Sequence, residues 1–97
     1  MKIIYRPHLK RRIREREFPQ DYPREVYKKA IQHFLDVKTN HYVAIAKLRY
    51  AKKVRNLTIS YDIIGSNIEI ITIHPVLSQE IKKRIKIGRW IKKNEKN

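Results

Sequence analysis

The chain has 97 residues, 41% of them hydrophobic, with 24 Lys and Arg against nine Asp and Glu, a formal net charge of +15. That content suits one modest core and one domain, expected over residues 1–91 with 92–97 as a polar tail. There is no cysteine, which excludes disulfides and thiolate chemistry. No apolar run nears the roughly 20 residues that cross a bilayer, and the opening one is too short for a signal peptide, so a cytoplasmic protein away from membranes is expected.

In chain order, "KIIY" reads either as a short strand or as an extended lead-in. Pro7 suits the first turn of a helix over about His8 to Glu17, which Pro19 ends. A second helix starts at Pro23, and Val26, Tyr27, Ala30, Ile31, Phe34 and Leu35 carry helical spacing to about Val37. After the turn signal "TN" at 39–40 the period changes to two. "HYVAIAKLRYA" places Tyr42, Ala44, Ala46, Leu48 and Tyr50 on one face, and "KVRNLTISYDI" does the same with Leu57, Ile59 and Tyr61. "GSN" at 65–67 turns the chain into a third long strand, "IEIITIH", which Pro75 stops. Ser78 and Glu80 suit the start of a last helix and Gly88 its end, with Trp90 and Ile91 folding back. The expectation is an α+β domain: an N-terminal helical hairpin packed on an antiparallel sheet of three or four strands, then a short C-terminal helix.

"HLKRRIREREF", residues 8–18, is among the most basic stretches. With Leu9 at zero and 100° per residue, Ile13 falls near 40°, so these two mark the buried stripe; Arg16 falls near −20°, Arg12 near −60° and His8 near −100°. Lys10, Arg11 and Arg14 point to solvent. Arginine keeps its proton, so an inward one needs carboxylates, carbonyls or phosphate. Arg16 is expected to be structural, bonded to Asp36, Asp62 or Glu69, while His8 and Arg12 rim an anion site.

The spacing of His8, Arg12, Arg16 and Phe18 resembles the opening of a widespread family of small prokaryotic proteins that begin His-Ala-x-x-Arg-x-x-x-Arg-x-Ile. The likeness continues in order through "YVAIAKLRY", Arg55, "ITIHP" and "RIKIGRW", covering roughly residues 5–91; Leu9 departs from it, standing where the family has a small residue. The resemblance implies the fold of RelE-like toxins, in the barnase–EndoU–colicin–RelE ribonuclease group. It also implies RNA cleavage and an acidic antitoxin partner.

The charge points the same way. A polyanion relieves the self-repulsion of +15: RNA first, with DNA left open, or an acidic protein. A thermophile-style surface calls for Glu to match the Lys, and only six Glu are present. Metal-independent RNA cleavage needs a base for the 2′-OH, cations for the phosphate and an acid for the leaving oxygen. The candidate catalytic set is His8, Arg12, Arg55 and His74; His74, sharing its face with Thr72, more often simply closes a core edge. Lys10, Arg11, Arg84 and Arg89 are candidates for the nucleic-acid backbone, and Trp90 for stacking a base, although such a Trp more often closes a core. His33 and His41 are weaker. Without clustered metal-ligand spacing, with only Gly65 and Gly88, and with no Ser in a nucleophile motif, no metal or other cofactor is expected.

Overall fold

A short strand, β1 (Ile3–Tyr5), opens the computed structural model, which describes residues 1–93. Pro7 starts α1 (Pro7–Glu15), where its missing N–H costs nothing. α1 stops two residues earlier than the spacing predicts: Arg16 is its C-cap and Glu17 takes a left-handed φ of 57°. α2 (Tyr22–Lys29) follows, then β2 (His33–Asp36), β3 (His41–Tyr50), β4 (Lys53–Ile64), β5 (Asn67–Pro75), α3 (Ser78–Lys86) and β6 (Trp90–Lys92).

The six strands form one mixed sheet in the order β1-β5-β4-β3-β2-β6, with β1 parallel to β5 and every other pair antiparallel. This corrects the expected hairpin of helices on an antiparallel three- or four-stranded sheet. β1 pairs with β5 before the helices begin. α1 then packs on β5, and α2 on β3, β4 and β5, so each helix buries its stripe against the sheet. The second helix was expected to reach Val37, but it ends at Lys29 because Ala30 turns extended, with φ −63° and ψ 127°. Beyond it Ile31 is 96% exposed, while Phe34 and Asp36 are buried in strand alternation. Apolar residues at 30, 31, 34 and 35 fit either period over so short a run. β6 carries the sheet through Lys92, and the Lys93 amide donates to the His33 carbonyl (2.8 Å). The sheet therefore runs past the expected boundary at 91; the remainder of the predicted tail, 94–97, lies outside the described residues.

Tight turns set the register. Ala51 and Lys52 link β3 to β4 with φ of 52° and 71°, a two-residue turn with both residues left-handed, which is strained for side chains bearing Cβ. Arg55 staples this turn, its Nε donating to the Tyr50 carbonyl (2.9 Å) and its Nη2 to that of Ala51 (3.4 Å). Gly65 supplies the positive φ of the β4–β5 turn.

One face of the sheet carries the main core. Leu9, Ile13 and Val26 of the helices meet Ala44, Ala46, Leu57, Ile59, Tyr61, Ile70 and Ile73. The other face has a smaller cluster of Phe34, Val43 and Trp90, against which Ile45 and Ile81 of α3 pack.

Candidate functional site

Which residues of β5 reach the second face depends on one irregularity. Ile68 and Ile70 point into the main core, and strict alternation would send Thr72 and His74 after them. But Ser60 pairs with Thr72 and Tyr61 with Ile70, so Ile71 is an extra residue, a β-bulge. The phase flips there: Ile73 enters the core, and Thr72 and His74 turn to the other side.

Register then builds three rungs on that face. His74 lies beside Thr58. Thr72 lies beside Ser60 and Val43. Glu69, Asp62, His41, Asp36 and Trp90 form the third, from β5 across to β6. α3 and the segment after it roof part of this surface. The result is a cleft of about 290 Å³ lined by His41, Thr58, Ser60, Thr72, His74, Arg84, Asp36, Arg89 and Trp90, among others.

His74 is half-buried, and among the described residues no hydrogen bond holds its ring. Burial, with the charges of Arg84 and Arg16 nearby, lowers its pKa from the ordinary histidine value. The ring is therefore neutral at physiological pH and free to accept a proton. Arg84 lies over the Trp90 ring, 5.0 Å from its centroid, with a loose ion pair to Glu80 at 3.5 Å. The floor is hydroxylic: Thr58 is buried, and Ser60 Oγ lies 2.6 Å from Thr72 Oγ1.

Asp36 closes one side. It accepts from Arg89 Nε (3.1 and 3.2 Å) and Nη2 (3.0 Å), from Trp90 Nε1 (3.1 Å) and from the amides of Lys38 and Thr39. Burial pushes its carboxyl up, but these donors outweigh it and hold the group below the usual carboxylate value. At the far end, His41 Nδ1 is 2.6 Å from Asp62 Oδ1, whose other oxygen accepts from Arg6 Nη2 (2.7 Å); Arg6 Nε reaches Glu69 (3.2 Å). Asp62 is likewise lowered, its burial outweighed by the bonds from His41 and Arg6.

The four candidate catalytic residues do not converge. Arg55 is on the opposite face from His74, closing the β3–β4 turn. His8 is exposed at the start of α1, its Nδ1 3.0 Å from Arg11 Nη2, and makes no contact with His74. Arg12 is exposed on α1 with no ion pair among the described residues. Arg16 makes no internal ion pair either: the helix ends before it, its carbonyl accepts from the Tyr50 hydroxyl (2.9 Å), and its charge reaches His74. The acids expected to hold it are bonded to Arg6 and Arg89 instead. Lys10 and Arg11 are exposed on α1. Of the candidates near the C-terminus, only Arg84 keeps a partly free guanidinium in the cleft. Arg89 is forked onto Asp36. Trp90 is 3% exposed, tilted against Phe34 and covered by Arg84, so no base can stack on it.

The sequence reading ranks His41 as weak and offers Asp62 only as a partner for arginine; the pairing of the two is what it misses. A signal was present: a two-residue turn at 51–52 fixes every pair of that hairpin and sets His41 opposite Asp62. Among the described residues no three His, Asp or Glu side chains converge as a metal site requires, and no helix is long and apolar enough to cross a membrane. No protein-family model, no curated protein and no solved structure matches the chain.

Proposed function

We propose that this is a small, cytoplasmic RNA-binding protein that cleaves RNA without a metal ion, an endoribonuclease of toxin type. The observation that carries the reading is His74: a ring without a hydrogen-bonded partner, kept neutral by burial, beside Arg84 in a hydroxyl-floored cleft. His74 takes the proton of a ribose 2′-OH, and Arg84 holds the phosphate as charge builds on it. Arg16 adds positive potential from the end of α1. The opening motif resembles a family of small prokaryotic proteins for which the fold of RelE-like toxins is implied, and that supports the reading, although its own His8 and Arg12 lie outside this cleft.

The test is incubation of the purified protein with RNA in excess EDTA. Cleavage to a 2′,3′-cyclic phosphate and a 5′-OH is expected, and His74→Gln should abolish it. Intact RNA with the native protein would sink the enzyme reading.

One observation favours a second reading, binding without cleavage. α1 turns Lys10, Arg12 and Arg14 to solvent with no acid paired to them among the described residues. A nucleic-acid backbone or an acidic protein partner fits these cations equally. Binding would then fall steeply with salt and ignore His74→Gln.

A further inference from the structure

We infer that His41 is the second proton-transfer group of the cleft, donating to the leaving oxygen, and that Asp62 and Arg6 position it. The inference rests on the cleavage reading above.

Asp62 is held as a carboxylate and can only accept, so the proton between it and His41 sits on Nδ1. That fixes the ring and leaves Nε2 for the cleft. Arg6 in turn fixes Asp62, and is itself anchored by its backbone amide on the Ile70 carbonyl (3.1 Å) and its Nε on Glu69. A base or acid oriented by a third group is the usual arrangement of proton-transfer residues. Residues far apart in sequence build it here, and it shares one cleft with His74.

The two rings stand at opposite ends of that cleft. Their rungs, at Asp62 and Thr58, are four residues apart on β4, and the rings hang from β3 and β5 on either side of it, so the two Cα atoms stand roughly 16 Å apart at 3.3 Å per residue and 4.8 Å per strand. Imidazoles reaching towards each other across that distance would leave room for a phosphodiester over Ser60 and Thr72. His41 faces Asp62 from β4, Asp36 from β2 and Arg89 beyond α3; His74 faces Arg84 from α3, and the charge of Arg16, at the end of α1, also acts on it. The cations beside His74 suit it to accept a proton, and Asp62, accepting at Nδ1, orients His41 to act through Nε2.

The step balances. His74 takes the proton of the 2′-OH, the O2′–P bond forms and the P–O5′ bond breaks. His41, protonated on both nitrogens, gives its Nε2 proton to O5′. Water returns His41 to its protonated and His74 to its neutral form.

The experiment compares two substrates: RNA, whose leaving alkoxide needs a proton, and a ribonucleoside 3′-(4-nitrophenyl phosphate), whose leaving group needs none. His41→Gln should slow RNA cleavage about 10²-fold or more and leave the nitrophenyl ester within about threefold of native. Retained ester cleavage also shows that the variant is folded. Asp62→Asn should cause a smaller loss of the same selectivity, and His74→Gln should lose both substrates. RNA cleavage by His41→Gln at the native rate, or equal loss on both substrates, overturns the role of His41 while the cleavage reading stands. A native protein inert on both overturns the cleavage reading and this inference together.

Discussion

The two faces of the sheet are made of alternate residues of the same strands, yet they obey different rules. On one, Leu57, Ile59, Tyr61, Ile70 and Ile73 are closed under two helices. On the other, Thr58, Ser60, Thr72 and His74 sit beneath a single helix with no buried residue of its own. The first face is covered because its apolar area drives folding. The second is roofed only in part, so Ser60, Thr72 and His74 stay within reach of solvent, and of a substrate, while Thr58 is buried beneath them. Stability and chemistry are thus divided by strand alternation, with the bulge at Ile71 resetting its phase on β5.

Adjacent residues on β5 test that division most sharply. Ile73→Ala should cost about 2–5 kcal/mol of stability, read by thermal or urea unfolding, while the folded fraction cleaves RNA normally. His74→Gln should do the reverse, lowering cleavage by about 10²–10⁴ with the melting temperature nearly unchanged. If both variants lose stability alike, the division fails.

Asp36 is the exception, a buried charge on the chemical face that holds structure. Asp36→Ala leaves Arg89 and the Trp90 N–H without their acceptor and should cost about 3–5 kcal/mol. Because its folded pKa is lowered, its stabilisation is full above the ordinary carboxylate pKa near about 3.9 and is lost as pH falls through the lower folded value. Asp62 acts in the same sense. Unfolding free energy should therefore decline below about pH 4, and Asp36→Asn should flatten part of that slope. The smallest effect belongs to α1: replacing Lys10 or Arg14 should weaken RNA binding and reduce the salt slope by about one per cation, with cleavage of bound RNA intact.

Much of the fold was legible in local pattern. The long strands announced themselves by alternation, α1 by Pro7 at its start and α3 by Gly88 just past its end, but α1 stops well short of Pro19 and Leu77, not Ser78, is the N-cap of α3. β2 was not legible, because Ala30, Ile31, Phe34 and Leu35 satisfy a helical period, and only the partner strands β3 and β6 decide for a strand. β1 was left open since its pairing is with residues 65 positions away. In the site, His74 and its neighbour Thr72 were readable as one face, and Arg84 as a candidate. Placing His8, Arg12 and Arg55 with them was a misjudgement of geometry: a helical wheel gives angle but not where the helix stops, and Arg16 escaped the stripe by lying one residue past its end. Arg55 is instead bonded to the Tyr50 and Ala51 carbonyls at the β3–β4 turn. His41 needed hairpin register, a relation between strands.

β1 ends at Tyr5, alongside Ile70, and α1 begins two residues later. Beyond that point β5 is laddered to β4 alone. The stretch from Ile71 to His74 therefore begins at the bulge and is hydrogen-bonded into the sheet on one side only, and such a segment opens locally at less than the free energy of global unfolding. Thr72 and His74 thus lie on a margin of the sheet held from one side, while Thr58 and Ser60 of the floor belong to β4, which is paired on both. That margin can breathe on its own timescale while Leu57, Ile59 and Tyr61 remain shut, so admission of a chain-like substrate need not disturb the core that supports it.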